Sequence, residues 1–172
     1  THDHPDFTMI IKRKYQVFIS STYTDLVVER QKAVGAILAA GHIPAGMELF
    51  TAGDLSQMDT IRKWIKKSDV FLLLLGGRYG SLEPVTKLSY SELEYDFAIE
   101  NNIPFFALVL SDRYLDSKVK SEGRDVLEKK NQQNLERFRE KVLSRMTQFC
   151  DDLKDIEINV HRSLTVLADE HD

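Results

Sequence analysis

The feature that most constrains this chain is an unbroken apolar run, VFLLLLGG at residues 70–77, which ends on two glycines. A strand that is apolar at every position must be covered on both faces, as the inner strands of parallel sheets are. The run therefore predicts the central strand of an α/β domain that has helices on both sides of its sheet. Hydrophobic residues make up 42% of the 172 residues, which is enough for such a core.

Strand-like and helix-like segments alternate along the rest of the chain, which predicts parallel strands joined by right-handed crossovers. Pro44 and Gly46 interrupt the second strand, so we expect it at an edge of the sheet. The predicted fold is a single flavodoxin-like three-layer α/β domain over residues 14–172, with residues 1–13 as a flexible lead-in. Its parallel sheet has five strands in the order 2-1-3-4-5. The other strands are predicted at residues 14–21, 42–49, 103–110 and 147–150, and the helices at 24–40, 58–67, 89–101, 135–146 and 156–168.

The helix after the central strand has a recognisable beginning. Ser89 is followed three residues later by Glu92, which is the spacing of a capping box. In that motif the serine hydroxyl accepts from the backbone of the third residue, and the glutamate carboxylate reaches back to the cap. We therefore predict a structural role for Glu92. Residues 111–130, further along, are expected to be partly helical or mobile.

Glu94, in the same helix, is the candidate functional acid. It shares one helical stripe with Tyr90, Phe97 and Ala98, and this stripe is expected to face inward along the carboxyl edge of the sheet. Open α/β sheets bind ligands at that edge, where the strand order reverses. The alternative is a rim carboxylate paired with Arg78 or Lys87.

Two polar loops follow strands at the same edge. Ser20 and Ser21 end the first strand, and hydroxyls beside a helix N-terminus can hold a phosphate. Capping of the next helix by Thr24 or Asp25 is the alternative for this loop. After the central strand, paired glycines precede Arg78, which either holds a phosphate or pairs with an acid such as Glu83.

Composition excludes several classes of function. The formal net charge of −4 argues against nonspecific binding to nucleic acid or to an anionic membrane. A single cysteine, Cys150, excludes an internal disulfide and a cysteine-rich zinc site. The five histidines show no metal-ligand spacing, and neither a phosphate-binding P-loop nor a hydrolase nucleophile elbow is present. No metal or cofactor is predicted, no segment is long enough to cross a membrane, and the expected location is cytoplasmic.

Four segments together resemble one family: KYQVFISSTYTDLVVER, HIPAGMELF, SDVFLLLLGGRYGS and SYSELEYDFA. This family is the TIR-like domain of unknown function found at the N-terminus of STAND-type NTPases and TPR-containing proteins. The resemblance covers residues 14–110 well and the rest more loosely. The wider kinship is with TIR domains and with nucleoside deoxyribosyltransferases, which carry a glutamate followed by a small residue on the matching helix.

The resemblance to TIR domains implies roles for individual residues. Their catalytic helix reads like WCxxELxxA, which sets Tyr90 at the tryptophan, Ser91 at the cysteine and Glu94 at the catalytic glutamate. The tryptophan and the cysteine are thus both replaced, and residues 50–59 lack the usual Arg-Asp-x-x-Pro-Gly. By the same resemblance, the side chains expected to bind the substrate are Phe18, Ser20, Ser21, Arg78, Tyr79 and Tyr90.

Three hypotheses for function follow from this resemblance. The first is an effector domain that cleaves NAD⁺, activated when a STAND-type sensor assembles neighbouring copies in immune or anti-phage signalling. Glu94 would then stabilise the oxocarbenium-like transition state, as carboxylates do in glycoside hydrolysis. The second is a non-enzymatic module for self-association or for adaptor contacts. The third is an N-glycosidase, or a deoxyribosyltransferase-like enzyme, that acts on another nucleoside or nucleotide.

Overall fold

The computed structural model of the chain describes residues 13–46 and 57–171. The predicted lead-in, part of the predicted second strand and most of the loop at residues 50–59 therefore lie outside the described residues. The elements are β1 (Gln16–Ser20), α1 (Val27–Ala39), β2 (Ile43–Gly46), α2 (Gln57–Lys67), β3 (Val70–Leu75), α3 (Tyr90–Glu100), β4 (Phe105–Leu110), α4 (Asp112–Glu122), α5 (Gln132–Leu143), β5 (Thr147–Cys150) and α6 (Leu153–His171).

The sheet confirms the predicted fold class. Its five described strands are all parallel and lie in the order β2-β1-β3-β4-β5, with β2 at an edge as expected. β3 is buried at all six positions, because β1 and β4 flank it and helices cover both of its faces. This order is flavodoxin-like, and its reversal point lies between β1 and β3.

Two apolar clusters fill the space between the sheet and its helices. One face of the sheet packs against α1, α4 and α6, and the other packs against α2, α3 and α5. Alternate residues of β3 point to opposite sides, so that Leu72 and Leu74 lie in the first cluster and Phe71 and Leu73 in the second. Among the described residues, no helix is both long enough and apolar enough to cross a bilayer.

Residues 111–130 are more regular than the sequence indicated. α4 begins after Ser111, whose hydroxyl accepts a hydrogen bond from the backbone of Tyr114. A buried ion pair then holds α4 to α1, with Lys118 Nζ 3.0 Å from the Glu29 carboxylate. The Tyr114 hydroxyl donates to the same carboxylate at 2.7 Å. The helix agrees with the expectation that this segment is partly helical, but apolar periodicity did not give its bounds because its buried face is largely polar.

A 3₁₀ turn, Arg124–Val126, brings the chain after α4 against the loop that follows β3. The backbone N–H of Glu128 donates to the Gly77 carbonyl at 2.7 Å, and the Glu128 carboxylate accepts from the Tyr79 N–H at 2.8 Å. A Cβ atom on Gly77 would lie 2.6 Å from the carbonyl oxygen of Val126. This close approach of two backbones explains a glycine at position 77 without a ligand.

Candidate functional site

A buried hydrogen bond between Ser20 and Glu94 lies at the carboxyl edge of the sheet. Ser20 is the last residue of β1 and is in register with Leu73 of β3, so it lies at the reversal point of the strand order. Glu94 comes from the second turn of α3, and its Oε2 accepts from the Ser20 hydroxyl at 2.9 Å. Glu94 is 5% exposed. The structure thus brings together two of the side chains that the sequence singled out.

The electrostatic setting of Glu94 is unusual for a carboxyl group. Burial raises its pKa from 4.5 to about 7, while the hydrogen bond from Ser20 and the charge of Arg30 act in the opposite direction. Glu94 makes no ion pair with Arg78 or Lys87, so the alternative of a paired rim acid is wrong. A carboxyl group with a pKa near neutrality can serve either as a charged stabiliser or as a proton carrier.

Arg30 is a part of this site that the sequence analysis missed. It is buried in α1, and its guanidinium donates to the Ser21 hydroxyl at 2.9 Å and to the Ile19 carbonyl at 3.3 Å. Ser21 is thus held beside the end of β1 rather than left free. A signal was available, because position 30 falls between Leu26 and Ala33 on the inward stripe of α1.

Glu92 has a structural role that differs in part from the predicted one. The Ser89 hydroxyl accepts from the Glu92 N–H at 3.1 Å, which confirms the cap. The reciprocal half of the capping box is wrong, because the Glu92 carboxylate turns away from Ser89. It accepts from the Tyr79 hydroxyl at 2.5 Å and from the Lys141 ammonium, and so links α3 to α5.

The other aromatic residues predicted to bind the substrate differ in how deeply they are buried. Phe18 is buried against Phe71, with ring centroids 6.0 Å apart, and Tyr79 is buried beside Phe138. Tyr90 is half-buried at the start of α3. The structure therefore places Phe18 and Tyr79 within the core, and their role in binding a substrate stays a prediction.

The loop after β1 does not cap α1. The helix begins at Val27 with Leu26 as its cap residue, and no side chain makes a capping hydrogen bond there. The prediction that Thr24 or Asp25 caps this helix is therefore wrong, because the loop holds one further residue before the helix starts. Both residues instead line a cavity, together with Arg78.

Arg78 also departs from its predicted pairing. Its suggested partner Glu83 accepts from the backbone N–H groups of Val85 and Thr86 at 2.9 and 2.6 Å and from the Thr86 hydroxyl. These contacts close a local turn and leave Glu83 engaged away from Arg78. No cluster of three or more metal-binding side chains occurs among residues 13–46 and 57–171.

Solved structures give distant similarities. The chain shares 15% identity with a mutant flavo-di-iron protein from Thermotoga maritima, at a TM-score of 0.47, over 91% of this chain and 36% of that one. A diflavin flavoprotein A3 from Nostoc sp. shows 11% identity, a TM-score of 0.36, and coverage of 91% and 99%. A structure described as the XylFII molecule shows 17% identity, a TM-score of 0.34, and coverage of 81% and 59%. Similarity at this level carries no argument about function.

Comparison with curated proteins gives no match. A family model does match, over residues 16–165, and it describes a domain of unknown function, DUF4062. The matched range begins at the first residue of β1 and ends within α6, so it includes all five strands of the sheet and the Ser20–Glu94 pair. The chain therefore belongs to the DUF4062 family.

Proposed function

We propose that this domain is a TIR-like effector that cleaves the N-glycosidic bond of NAD⁺, with Glu94 as its catalytic residue. The observation that carries the proposal is the buried Glu94 carboxyl group, hydrogen-bonded to Ser20 where the strand order reverses. Ligands of open α/β sheets bind at this position. Perturbed carboxyl groups there are the usual signature of acid–base or electrostatic catalysis.

The chemistry requires little beyond a positioned carboxylate. The bond between the ribose and nicotinamide breaks with its electron pair passing to the nicotinamide nitrogen, which becomes neutral. The ribose carbon then carries a positive charge that a carboxylate can stabilise. Water adds to this carbon and releases a proton, so the products are nicotinamide, ADP-ribose and H⁺. Glu94 supplies the negative charge, and Ser20 fixes its orientation.

The burial of Glu94 supports a requirement for assembly. A side chain that is 5% exposed offers little surface to a substrate in a single domain. We expect neighbouring copies, brought together by a STAND-type sensor region of a longer protein, to open and complete the site. We therefore expect an isolated domain to have almost no NAD⁺-cleaving activity and assembly to activate it.

A non-enzymatic adaptor is the second candidate, and the same burial favours it. A carboxyl group satisfied by Ser20 and shielded from solvent is also what a structural acid looks like. Phe18 and Tyr79 are likewise taken up by the core. Cleavage of a different nucleoside or nucleotide at Glu94 is a weaker third candidate.

The test is release of nicotinamide from NAD⁺ by the domain fused to a coiled coil that forces assembly. Wild type should turn over, and Glu94→Gln should lose about 10²-fold or more, since an amide cannot supply the charge. Glu92→Gln is the matched control, because it removes a carboxylate two residues away that faces Tyr79 and Lys141. We expect the Glu92→Gln rate to stay close to that of wild type.

The outcomes separate the candidates. Wild-type activity should rise between about pH 6 and pH 8 as Glu94 ionises. Equal rates for wild type and Glu94→Gln would remove Glu94 from the mechanism. If assembled wild type releases no base from NAD⁺ or from a panel of nucleotides, the adaptor role replaces the enzyme.

A further inference from the structure

A cavity of about 550 Å³ opens at the carboxyl ends of the strands, apart from the Ser20–Glu94 pair. Small-molecule sites usually span about 300–1,000 Å³. The loop after β1 contributes Thr24 and Asp25 to its walls, and the loop after β3 contributes Arg78. The rest of the wall is Glu122 and residues 125–130. Neither Ser20 nor Glu94 lines this cavity.

Asp25 is the side chain that marks the cavity as a binding site. It is 4% exposed, and neither carboxylate oxygen has a hydrogen-bond partner among the residues that the structure describes. The Thr22 hydroxyl lies nearby but also makes no hydrogen bond within normal geometry. Burial raises the pKa of Asp25, against the weaker opposing effects of Thr22, Arg78 and Lys118. A buried carboxylate without a donor is costly to the fold, so its presence needs an explanation.

The other acids of the cavity wall are already satisfied. The Glu128 carboxylate accepts from the backbone N–H groups of Tyr79, Lys130 and Asn131. Asp125 pairs with Lys129 at 2.7 Å, and Glu122 pairs with Lys118 at 2.6 Å. Asp25 is therefore the acid of this wall whose carboxylate lacks a hydrogen-bond donor among the described residues, and a bound ligand would supply that donor.

Two cations of the wall remain to be neutralised. Within residues 13–46 and 57–171, neither the Arg78 guanidinium nor the Lys130 ammonium makes a hydrogen bond or an ion pair, and both residues line the cavity. Together with Asp25 they give one negative and two positive groups. A zwitterion with a single carboxylate would leave one of these cations without an anionic partner. A dianionic phosphate contacts both cations, and hydroxyl groups on the rest of the ligand donate to Asp25.

We propose that this cavity binds a phosphorylated polyol of the size of a pentose phosphate, whose hydroxyl groups donate to Asp25 while Arg78 and Lys130 contact its phosphate. This site is separate from cleavage at Glu94, and its test is binding rather than turnover. The two proposals can therefore fail independently. The carboxylate and the two cations of the wall call for different groups on the ligand, hydroxyl donors for Asp25 and an anion for Arg78 and Lys130.

Calorimetric titration with ribose 5-phosphate tests the proposal, with inorganic phosphate, ribose and glutamate as comparison probes. Wild type should bind ribose 5-phosphate more tightly than any comparison probe. Asp25→Asn and Arg78→Ala should each weaken binding about tenfold or more, which is the usual cost of losing a charged hydrogen-bond partner. Asp112→Asn is the matched control, since this side chain is 93% exposed and its residue does not line the cavity. Asp112→Asn and Glu94→Gln should bind ribose 5-phosphate like wild type.

A second readout separates a ligand-binding Asp25 from a structural one. Because the carboxylate lacks a donor, Asp25→Asn should raise the Tm of the unliganded protein at neutral pH. A lower Tm for Asp25→Asn would mean that the charge stabilises the fold, and it would overturn the proposal. Failure to bind ribose 5-phosphate at millimolar concentration would also overturn it. So would tighter binding of glutamate, whose ammonium group and two carboxylates also match these three charges, and which would assign the cavity to an acidic amino acid.

Discussion

Replacement of Glu94 by glutamine should make the protein more stable as the pH rises. Glutamine has nearly the same shape, and its carbonyl oxygen can still accept from Ser20, but it carries no charge to bury. Burial raises the pKa of the folded carboxyl group from 4.5 to about 7. Folding therefore favours the protonated form. At about 1.4 kcal/mol per pKa unit, the ionised form costs the folded state about 3 kcal/mol.

The raised pKa of Glu94 determines how the stability changes with pH and over which pH range. Below the pKa of the unfolded chain, Glu94 is protonated in both states, so ionisation costs the fold nothing. As the pH rises from about 4.5 to about 7, the unfolded chain ionises first, and wild type loses stability. Above about pH 7 the loss is complete. Glu94→Gln lacks this loss, so its advantage over wild type should grow through the same interval towards about 3 kcal/mol.

Denaturant unfolding of both proteins from pH 4 to pH 8 measures this difference directly. The other titrating groups are shared, so their contributions cancel when the two unfolding free energies are subtracted at each pH. A difference that stays flat across the range would refute the reasoning. A Glu94→Gln protein less stable than wild type at pH 8 would show that the charge supports the fold.

Two further substitutions test the packing around the sheet. Lys118→Met should destabilise the protein by about 3–5 kcal/mol in denaturant unfolding, since it leaves the buried Glu29 carboxylate without its cation. Adding Glu29→Gln to Lys118→Met should recover much of that loss, and no recovery would mean that the pair is not coupled. Gly77→Ala should cost about 1–3 kcal/mol, because the new methyl would lie 2.6 Å from the Val126 carbonyl oxygen. Gly35→Ala is its control: a Cβ there meets nothing within 4 Å, so alanine should stabilise α1 by up to about 1 kcal/mol, and a loss would contradict this account.

The fold was largely predictable, because apolar periodicity records which faces are buried. The apolar run at 70–77 placed the central strand, and Pro44 placed β2 at the edge. The segment of α4 was predicted only as partly helical or mobile, because its inward positions include Lys118, which is buried by pairing with Glu29 from a distant part of the chain. A buried ion pair leaves no hydrophobic period for sequence analysis to detect.

The candidate site was predictable in part, for a similar reason. The sequence placed Glu94 at the carboxyl edge of the sheet by its spacing on α3, and it placed Ser20 there as the end of a strand. The structure confirms that the two side chains are in contact, through a hydrogen bond. Spacing cannot say where a loop ends and a helix begins, so Asp25 was assigned to a cap that does not form. The contact of Glu92 with Lys141 was also beyond reach, because the two residues are 49 positions apart in the chain.

Two hydrogen bonds join the loop after β3 to the segment after α4, one between backbone groups and one between a backbone N–H and a side-chain carboxylate. Glu128 is bonded to Gly77 through its N–H and to Tyr79 through its carboxylate, on either side of Arg78. The arginine is thus held between two anchors that belong to a different part of the chain. The position of the Arg78 guanidinium therefore depends on residues 124–130, so a displacement of that segment would also move the arginine.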